Sequence, residues 1–318
     1  MVGLTIPVRI AILGAGSIGV AFAVAFGRAG REVRVWDPFL ESLARAEADL
    51  ADRLALLDQH GLLTESAAEV AARIRFDAEI AIAVEGAGHL QECAPERIEI
   101  KRELFLSAAA YAPSDAVLAT SSSAITAGRI GEGLPYSVRT RLLVGHPGNP
   151  PYLIPVVEVV PSPETEPAII AKAIDVYRGG GLKPVVVRKE VEGFIFNRLQ
   201  GAVLREAYAL VRDGVASVDD IDEVVRSGLG RRWSIIGPFE TSDLNVRGGI
   251  SAHAARMGEA YARMGAERGQ RDPWTPDLVA EVDRQRREML PIDRWEDRVR
   301  WRDEQLMRHT PLWDSATE

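Results

Sequence analysis

The stretch RIAILGAGSIG, residues 9–19, decides the fold of this chain. Its first five residues, Arg9 to Leu13, contain a short apolar run bounded by glycine, which predicts a buried strand. The Ala-rich residues from Ser17 to Arg28 predict a helix, so the glycines between them form a strand-to-helix turn with the spacing G-x-G-x-x-G. A turn of this kind in this context is typical of a dinucleotide-binding unit.

The glycines of this turn have different physical roles. Gly14 permits the tight turn, Gly16 lets the backbone approach a pyrophosphate, and Gly19 allows the helix to pack closely on the strand. The start of the helix, at Ser17 and Ile18, offers free N–H groups and a partial positive charge to the phosphates. We therefore expect Gly14, Gly16, Ser17, Ile18 and Gly19 to bind the cofactor.

Asp37 follows the second predicted strand, Arg31 to Trp36, and indicates which dinucleotide is bound. A carboxylate at this position can accept hydrogen bonds from both ribose hydroxyls, and it repels a 2′-phosphate. The next residues are Pro38 and Phe39, so no arginine stands beside Asp37 to receive that phosphate. The pattern favours NAD over NADP.

Strands and helices continue to alternate up to about residue 190. Further strands are predicted at Leu90–Cys93, Ala116–Thr120, Leu142–Val144, Val156–Val160 and Pro184–Val187. Helices are predicted at Leu40–Gln59, Glu65–Arg73, Glu96–Ala110 and Glu166–Arg178. The alternation predicts an α/β fold, with a Rossmann-type, doubly wound parallel sheet forming an NAD-binding domain at residues 1–190.

After Val191 the pattern changes to helical periodicity with almost no strand signal. Amphipathic helices are predicted at Phe194–Asp213, Val218–Ser227, Gly249–Met264 and Pro276–Met289. We expect an all-helical C-terminal domain at residues 191–318.

Composition and charge exclude several classes of protein. The 318 residues are 47% hydrophobic, and the net charge of −8 argues against nucleic acid or anionic membrane as a partner. The single cysteine, Cys93, excludes a disulfide framework and a multi-cysteine metal site, so we expect no metal. No secretory signal and no apolar run approaching about 20 residues is found, so the expected location is the cytoplasm.

A histidine and a carboxylate form the candidate catalytic pair. His146 follows an apolar strand in the motif His-Pro-Gly-Asn-Pro, and Glu158 lies within the next apolar strand. An imidazole can accept and return a proton near neutral pH, as hydride transfer from an alcohol requires. A carboxylate on the other ring nitrogen would fix the tautomer, and a carboxylate inside an apolar strand normally needs such a partner.

Several motifs in order resemble one family. They are the glycine turn, the run Gln91–Glu96, the cluster Thr120–Ser123, His146-Pro-x-Asn-Pro, Glu158 and Gly193–Leu199. The chain resembles the 3-hydroxyacyl-CoA dehydrogenase superfamily. The run Cys93-Ala-Pro-Glu, the motif His-Pro-x-Asn-Pro-Pro-Tyr, and the segment Gly228–Trp233 followed by Gly237-Pro238-x-Glu240 are similar to its lambda-crystallin / L-gulonate 3-dehydrogenase branch.

The resemblance implies roles for the catalytic residues. His146 is similar to the catalytic base and Glu158 to its orienting partner. Ser123 matches a serine that binds substrate, with Ser122 as the alternative because the cluster can slip by one residue. Asn197 matches an asparagine that bonds the substrate oxygen.

The resemblance also implies binding residues and an assembly. Glu96 and Lys101 match positions near the nicotinamide ribose, with a solvated ion pair as the alternative. Arg232 matches a contact to the substrate carboxylate, and its neighbour Arg231 is an alternative. Family likeness further implies a homodimer through the helical domain.

Three functions remain open from the sequence. The first is NAD-dependent oxidation of a small free 3-hydroxy acid such as L-gulonate, and the second is oxidation of a 3-hydroxyacyl-CoA. The segment from Leu40 to Arg73 has seven acids, three bases and no lysine, which disfavours the phosphates of CoA and so favours the first. The third is a non-catalytic NAD-binding or structural protein, against which the intact His146 and Glu158 argue.

Overall fold

The computed structural model describes residues 8–270, 275–299, 301 and 312. The chain divides into two compact units, Met1–Val203 and Leu204–Glu318. The end of the predicted second domain, at residues 302–311 and 313–318, lies outside the described residues. The predicted domain boundary at residues 190/191 stays a prediction.

The first unit alternates strands and helices. Its strands are β1 (Arg9–Leu13), β2 (Val33–Trp36), β3 (Ile74–Asp77), β4 (Ala87–Glu92), β5 (Val117–Thr120), β6 (Leu142–Pro147), β7 (Val156–Pro161) and β8 (Lys183–Val186). Its helices are α1 (Ser17–Arg28), α2 (Leu40–Gln59), α3 (Ala67–Ala71), α4 (Ile80–Val84), α5 (Ile98–Ala109), α6 (Ala127–Gly131), α7 (Tyr136–Arg139) and α8 (Pro167–Gly179).

The regular elements among the described residues of the second unit are all helices. Helix α9 (Phe196–Arg212) begins in the first unit and continues into the second. It is followed by α10 (Val218–Val224), a π-helical turn (Val225–Gly230), α11 (Arg231–Trp233), α12 (Pro238–Asn245), α13 (Gly249–Glu267), α14 (Pro276–Met289) and a 3₁₀ turn (Ile292–Arg294). The predicted order, a Rossmann-type sheet followed by a helical C-terminal region, is confirmed.

The eight strands form one sheet in the order β3-β2-β1-β4-β5-β6-β7-β8. Neighbouring strands are parallel except β6 and β7, which are antiparallel. The predicted doubly wound sheet is confirmed as a mostly parallel one, and this antiparallel pair was not predicted. The reason is the connection: residues 148–155 are too few for a crossover helix, which a parallel return requires.

Helices cover the sheet on both faces. Along β1, Ile10 and Ile12 belong to one hydrophobic cluster, and Ala11 and Leu13 belong to the other. Alternate residues of a strand point to opposite faces, so a strand that is buried throughout has to be apolar at every position. This explains why the first stretch of the sequence is a continuous apolar run.

Some elements differ from their predicted bounds. The helix predicted at Glu65–Arg73 is the short α3, which begins at a capping box formed by Ser66 and Glu69. The strand β3 and the helix α4 were not predicted. The helix predicted at Val218–Ser227 ends at Val224 and continues as the π-helical turn. Among the described residues, no helix has the length and apolar character needed to cross a membrane.

Candidate active site

A cavity of about 950 Å³ lies where the glycine turn follows β1. Its lining includes the turn itself at Gly14, Gly16 and Ser17, and also Asp37 at the end of β2. Cys93 lines it from the segment that follows β4. Because parallel strands present their carboxyl ends at one edge of a sheet, the fold brings these three segments together at the position where doubly wound sheets bind their ligands.

The glycines of the turn fit a bound dinucleotide. Gly14 has a positive φ of 117°, and a Cβ there would lie 2.8 Å from the carbonyl oxygen of Cys93. A Cβ on Gly19 would lie 2.0 Å from the carbonyl oxygen of Gly14, so α1 packs against the turn without space for a methyl group. Gly16 is exposed, and a Cβ on it would meet nothing within 4 Å, which leaves its face open to a phosphate.

Asp37 is held at the end of β2 by two backbone groups. The N–H of Ala15 donates to its Oδ2, and the N–H of Phe39 donates to its Oδ1, both at 3.1 Å. Each carboxylate oxygen keeps a further lone pair for a ribose hydroxyl. Arg45 of α2 also lines the cavity. The residues next to Asp37 include no arginine, and Arg45 was not predicted to lie here; α2 brings this cation to the same cavity.

Glu96 and Lys101 meet at a buried carboxylate that was not predicted to be part of the site. The ammonium of Lys101, 1% exposed, lies 3.0 Å from both oxygens of Glu92 and 3.2 Å from Glu96. The hydroxyl of Thr120 donates to Glu92 at 2.5 Å. The ammonium of Lys101 is therefore enclosed within the protein, and the pair with Glu96 is not a fully solvated one.

The two carboxylates of this cluster have pKa values shifted in opposite directions. Burial raises the pKa of Glu92, against the opposing charge of Lys101 and the hydrogen bond from Thr120. Partial burial also acts to raise the pKa of Glu96, but the hydrogen bond from Ser122 and the charge of Lys101 outweigh it and lower that pKa. Glu96 is thus an ionised acceptor at the surface of the cluster.

Ser123, His146 and Glu158 form a continuous chain of hydrogen bonds. The Nδ1 of His146 lies 2.8 Å from Oε2 of Glu158, and its Nε2 lies 3.1 Å from Oγ of Ser123. The pairing of β6 with β7 produces the first contact, because His146 and Glu158 are direct partners in the antiparallel register. Cross-strand partners have side chains on the same face of a sheet.

Glu158 is held as an anion. Its Oε1 accepts hydrogen bonds from the N–H groups of Ile195 at 2.7 Å and Phe196 at 2.9 Å. Burial acts to raise its pKa, but the hydrogen bond from His146 and these backbone donors outweigh that effect, and the pKa of Glu158 is lowered. An ionised carboxylate can only accept a hydrogen bond, so the neutral imidazole of His146 carries its proton on Nδ1, which faces Glu158. This tautomer leaves Nε2 as the basic atom.

The two candidate serines have different hydrogen-bond partners in the structure. The hydroxyl of Ser122 is buried, donates to Glu96, and accepts from the N–H of Ile125 at 2.7 Å. The hydroxyl of Ser123 is the one that reaches His146, and Ser123 is exposed. Asn197 is half-buried in the first turn of α9.

Arg232 belongs to the second unit, where its Nη1 donates to Oδ1 of Asn245 at 3.3 Å. It is half-buried in the short helix α11, as is its neighbour Arg231.

Gln91 is a further buried polar residue that sequence reasoning did not single out. Its side-chain amide donates to Oγ of Ser121 at 2.8 Å and to the carbonyl oxygen of Gly145 at 3.2 Å, and it accepts from the hydroxyl of Tyr177 at 2.6 Å. It therefore links β4 to residues adjacent to Ser122 and His146. The available signal was a glutamine inside a buried strand, which requires polar partners.

Cys93 is half-buried and lines the cavity beside the glycine turn. Burial raises the pKa of its thiol to about 12. The thiolate is the reactive form of cysteine, and it is essentially absent at neutral pH when the pKa is that high. Cys93 therefore lines the cavity as an uncharged thiol.

The fold and the site together define a class of protein. A pyrophosphate-binding turn in a doubly wound sheet, with a histidine that can hold a proton on the same sheet, is what an NAD-dependent oxidoreductase of CH–OH groups requires, and this chain is one. It belongs to the 3-hydroxyacyl-CoA dehydrogenase family. The model of that family's NAD binding domain matches residues 9–191, and the model of its C-terminal domain matches residues 193–289.

Individual relatives agree with this membership. The chain is 36% identical to lambda-crystallin of Oryctolagus cuniculus over 305 residues, which cover 95% of each chain. It is 41% identical to an L-carnitine dehydrogenase of Pseudomonas syringae over 238 residues, which cover 74% of this chain and 72% of the relative. The predicted resemblance to the lambda-crystallin branch is confirmed.

A solved structure has a similar fold over most of the chain. It is 5-formyl-3-hydroxy-2-methylpyridine 4-carboxylic acid 5-dehydrogenase, described as an NAD⁺-dependent dismutase. The comparison gives a TM-score of 0.72 at 28% identity and covers 91% of this chain and 98% of the other. The expected cofactor, NAD, agrees with this similarity and with the family.

Proposed function

We propose that this protein oxidises the 3-hydroxyl of a small free hydroxy acid, similar to L-gulonate, to the 3-keto acid with NAD⁺. His146 acts as the general base and Glu158 orients it. The observation that carries the proposal is the chain from Ser123 through His146 to Glu158, which leaves a basic Nε2 beside an exposed hydroxyl.

The proton chemistry follows from these side chains. Nε2 of His146 takes the proton of the substrate 3-hydroxyl, and the anionic Glu158 stabilises the imidazolium that forms. NAD⁺, which the glycine turn would hold, would supply the acceptor for the hydride that leaves the carbon bearing this hydroxyl. Ser123 and Asn197 donate hydrogen bonds to the oxygen on which negative charge develops. In the reverse direction His146 returns the proton.

The proposed cofactor contacts are those of the glycine turn and its surroundings. Their residues are Gly14, Gly16, Ser17, Ile18, Gly19, Asp37, Glu96 and Lys101. The first six would hold the pyrophosphate and the adenine ribose, and the resemblance supports Glu96 and Lys101 as the residues that would lie near the nicotinamide ribose. The anionic state of Glu96 suits it to accept from a ribose hydroxyl.

A free acid is favoured over a CoA thioester by the charge of the segment that contains α2 and α3. The phosphates of CoA need cations, and the segment from Leu40 to Arg73 carries a net charge of −4. The resemblance also supports Arg232 as the contact to the substrate carboxylate, which a planar guanidinium can bind through two hydrogen bonds. L-Carnitine, the substrate named for one relative, is itself a small free 3-hydroxy acid.

A substrate panel tests the proposal. Catalytic efficiency with NAD⁺ is measured for L-gulonate, 3-hydroxybutyrate, L-carnitine and 3-hydroxybutyryl-CoA. We expect one of the free acids to be preferred, and Arg232→Ala to weaken its use. An efficiency tenfold or more higher on the thioester, about 1.4 kcal/mol of transition-state preference, would reject the free-acid assignment. Absence of turnover on all of them would favour the non-catalytic alternative.

The proposal also covers the location and the oligomeric state of the enzyme. The cytoplasmic location expected from the sequence stays a prediction, and we further propose that the protein acts as a homodimer through the helical domain. The described residues contain no cluster of histidine, cysteine and carboxylate side chains suited to a metal ion.

A further inference from the structure

Arg53 of α2 is bonded to the start of the phosphate-binding helix. Its Nη1 donates to the carbonyl oxygen of Ser17 at 3.1 Å, and its Nη2 donates to Oγ of Ser17 at 2.8 Å. Ser17 is the first residue of α1 and lines the cofactor cavity. Because Oγ accepts from Arg53, the hydroxyl hydrogen of Ser17 points elsewhere and is available to a phosphate oxygen.

The same guanidinium neutralises a carboxylate of the cavity wall. Its Nε lies 2.8 Å from Oδ1 of Asp49, and its Nη2 lies 2.7 Å from Oδ2. Asp49 lines the same cavity as Gly16 and Ser17. An unpaired carboxylate at that place would repel the two negative charges of a pyrophosphate.

The guanidinium of Arg53 also lies over an aromatic ring. The side chain of Arg53 is 16% exposed, and its Cζ lies 5.9 Å from the centre of the ring of Tyr152. Tyr152 belongs to the connection between β6 and β7. A planar fork with several donors can hold Ser17 and Asp49 at the same time, whereas a single ammonium group cannot reproduce that geometry.

We infer that Arg53 is a positioning residue for the NAD pyrophosphate, which orients the hydroxyl of Ser17 and masks the charge of Asp49. The inference depends on NAD binding in this cavity and not on the identity of the substrate. It concerns affinity for the phosphates and not hydride transfer.

The test uses ligands with and without phosphates. Kd is measured by calorimetry for NAD⁺, ADP-ribose and adenosine. In Arg53→Ala we expect the Kd for NAD⁺ and for ADP-ribose to rise about tenfold, and the Kd for adenosine to change less than twofold. Turnover at saturating NAD⁺ should stay within twofold of the wild type, so that the change falls on KM.

Arg73→Ala is the matched control for stability. Arg73 also binds one carboxylate, that of Glu65, with both terminal nitrogens, and it donates to the carbonyl oxygen of Gly27 near the other end of α1. Both variants should lower Tm, but only Arg53→Ala should lower the affinity for NAD⁺. Asp49→Asn, added to Arg53→Ala, should lower the Kd for NAD⁺ at least threefold relative to Arg53→Ala alone, because it removes the carboxylate charge that Arg53 no longer pairs.

Three results would overturn the inference. An Arg53→Ala variant that binds NAD⁺ within twofold of the wild type would show that Arg53 is only structural. An equal loss of adenosine affinity would show a general deformation of the cavity. If Asp49→Asn restores nothing in the Arg53→Ala background, the masking of Asp49 is wrong.

Discussion

His146 and Glu158 owe their contact to strand pairing, and not to their separation in sequence. They are opposite residues of β6 and β7, so the strand register places the two side chains in contact. The contact does not depend on the conformation of a loop. The carboxylate is further held by two backbone donors at the start of α9. A catalytic pair on strands is held more precisely than one on loops.

Removal of either member of this pair should reduce turnover by different amounts. We expect His146→Ala to lower kcat by about 10²–10⁴, the usual range for a lost general base. Glu158→Gln should have a smaller effect, because it keeps the shape and removes the charge that stabilises the imidazolium. Steady-state kinetics and NAD⁺ titration measure both effects. Near-normal kcat with unchanged NAD⁺ binding in His146→Ala would remove the residue from the mechanism.

His89 makes the stability of the protein sensitive to acid. It is fully buried, and burial lowers its pKa from 6.5 to about 4. Between these values the unfolded chain binds a proton that the native protein does not, so stability is fully present above about pH 6.5 and is lost as the pH falls toward 4. Urea unfolding of the wild type from pH 7 to pH 4.5 should show this decline.

The variant His89→Gln should have a smaller decline over the same pH range, whatever its stability at pH 7. The control is His60→Gln, because His60 is exposed after α2 and its replacement should leave the pH dependence of the wild type. Parallel pH profiles for wild type and His89→Gln would contradict the assignment.

At the scale of an element, two glycines of the turn have different roles: Gly19 is needed for packing, and Gly16 is needed for the approach of the cofactor. Gly16 has the extended backbone angles φ −77° and ψ 177°, which alanine also adopts, and the space around a methyl group there is open. Gly19 faces the carbonyl oxygen of Gly14, and an added methyl group would displace the start of α1. The two positions should therefore respond differently to the same substitution.

We expect Gly19→Ala to lower the free energy of unfolding by about 1–3 kcal/mol, as overpacking does. Gly16→Ala should change it by less than about 0.5 kcal/mol but weaken NAD⁺ binding, because the methyl group occupies the approach of the pyrophosphate. Denaturant unfolding and NAD⁺ titration of both variants measure this. Equal losses of stability would show that the two glycines do not have separate roles.

The sequence predicts elements well where their pattern is long. Helices α2 and α14 have the predicted ends, because hydrophobic periodicity over several turns is unambiguous. The strand β3 has four residues and was missed, since so short an alternation has little signal. The antiparallel pairing of β6 and β7 was missed because pairing depends on the connection and the neighbouring strands, and not on the strand's own residues.

The same distinction applies to the candidate site. His146, Glu158 and the glycine turn were predicted because motif and strand position mark them. Arg45 was not, because only tertiary folding brings α2 to the cavity. Gln91 and Glu92 were quoted as part of a motif, but their hydrogen bonds depend on neighbouring strands that local sequence does not specify.

At the scale of the whole molecule, the proposed homodimer can be related to one exposed face. Helix α9 carries apolar side chains that remain exposed in the single chain, among them Leu204 at 46% and Tyr208 at 76%. They are four residues apart and so share a face of the helix. Exposed apolar side chains grouped in this way are typical of an association surface.

We therefore expect the wild type to be a dimer by light scattering after size-exclusion chromatography, and Tyr208→Glu combined with Leu204→Glu to make it monomeric, because two buried charges would oppose the same contact. Leu56→Glu is the control, since Leu56 is 57% exposed but lies on α2. A wild type that is monomeric over the whole concentration range would reject the dimer. A dimer that persists in the double variant would place the interface on another surface.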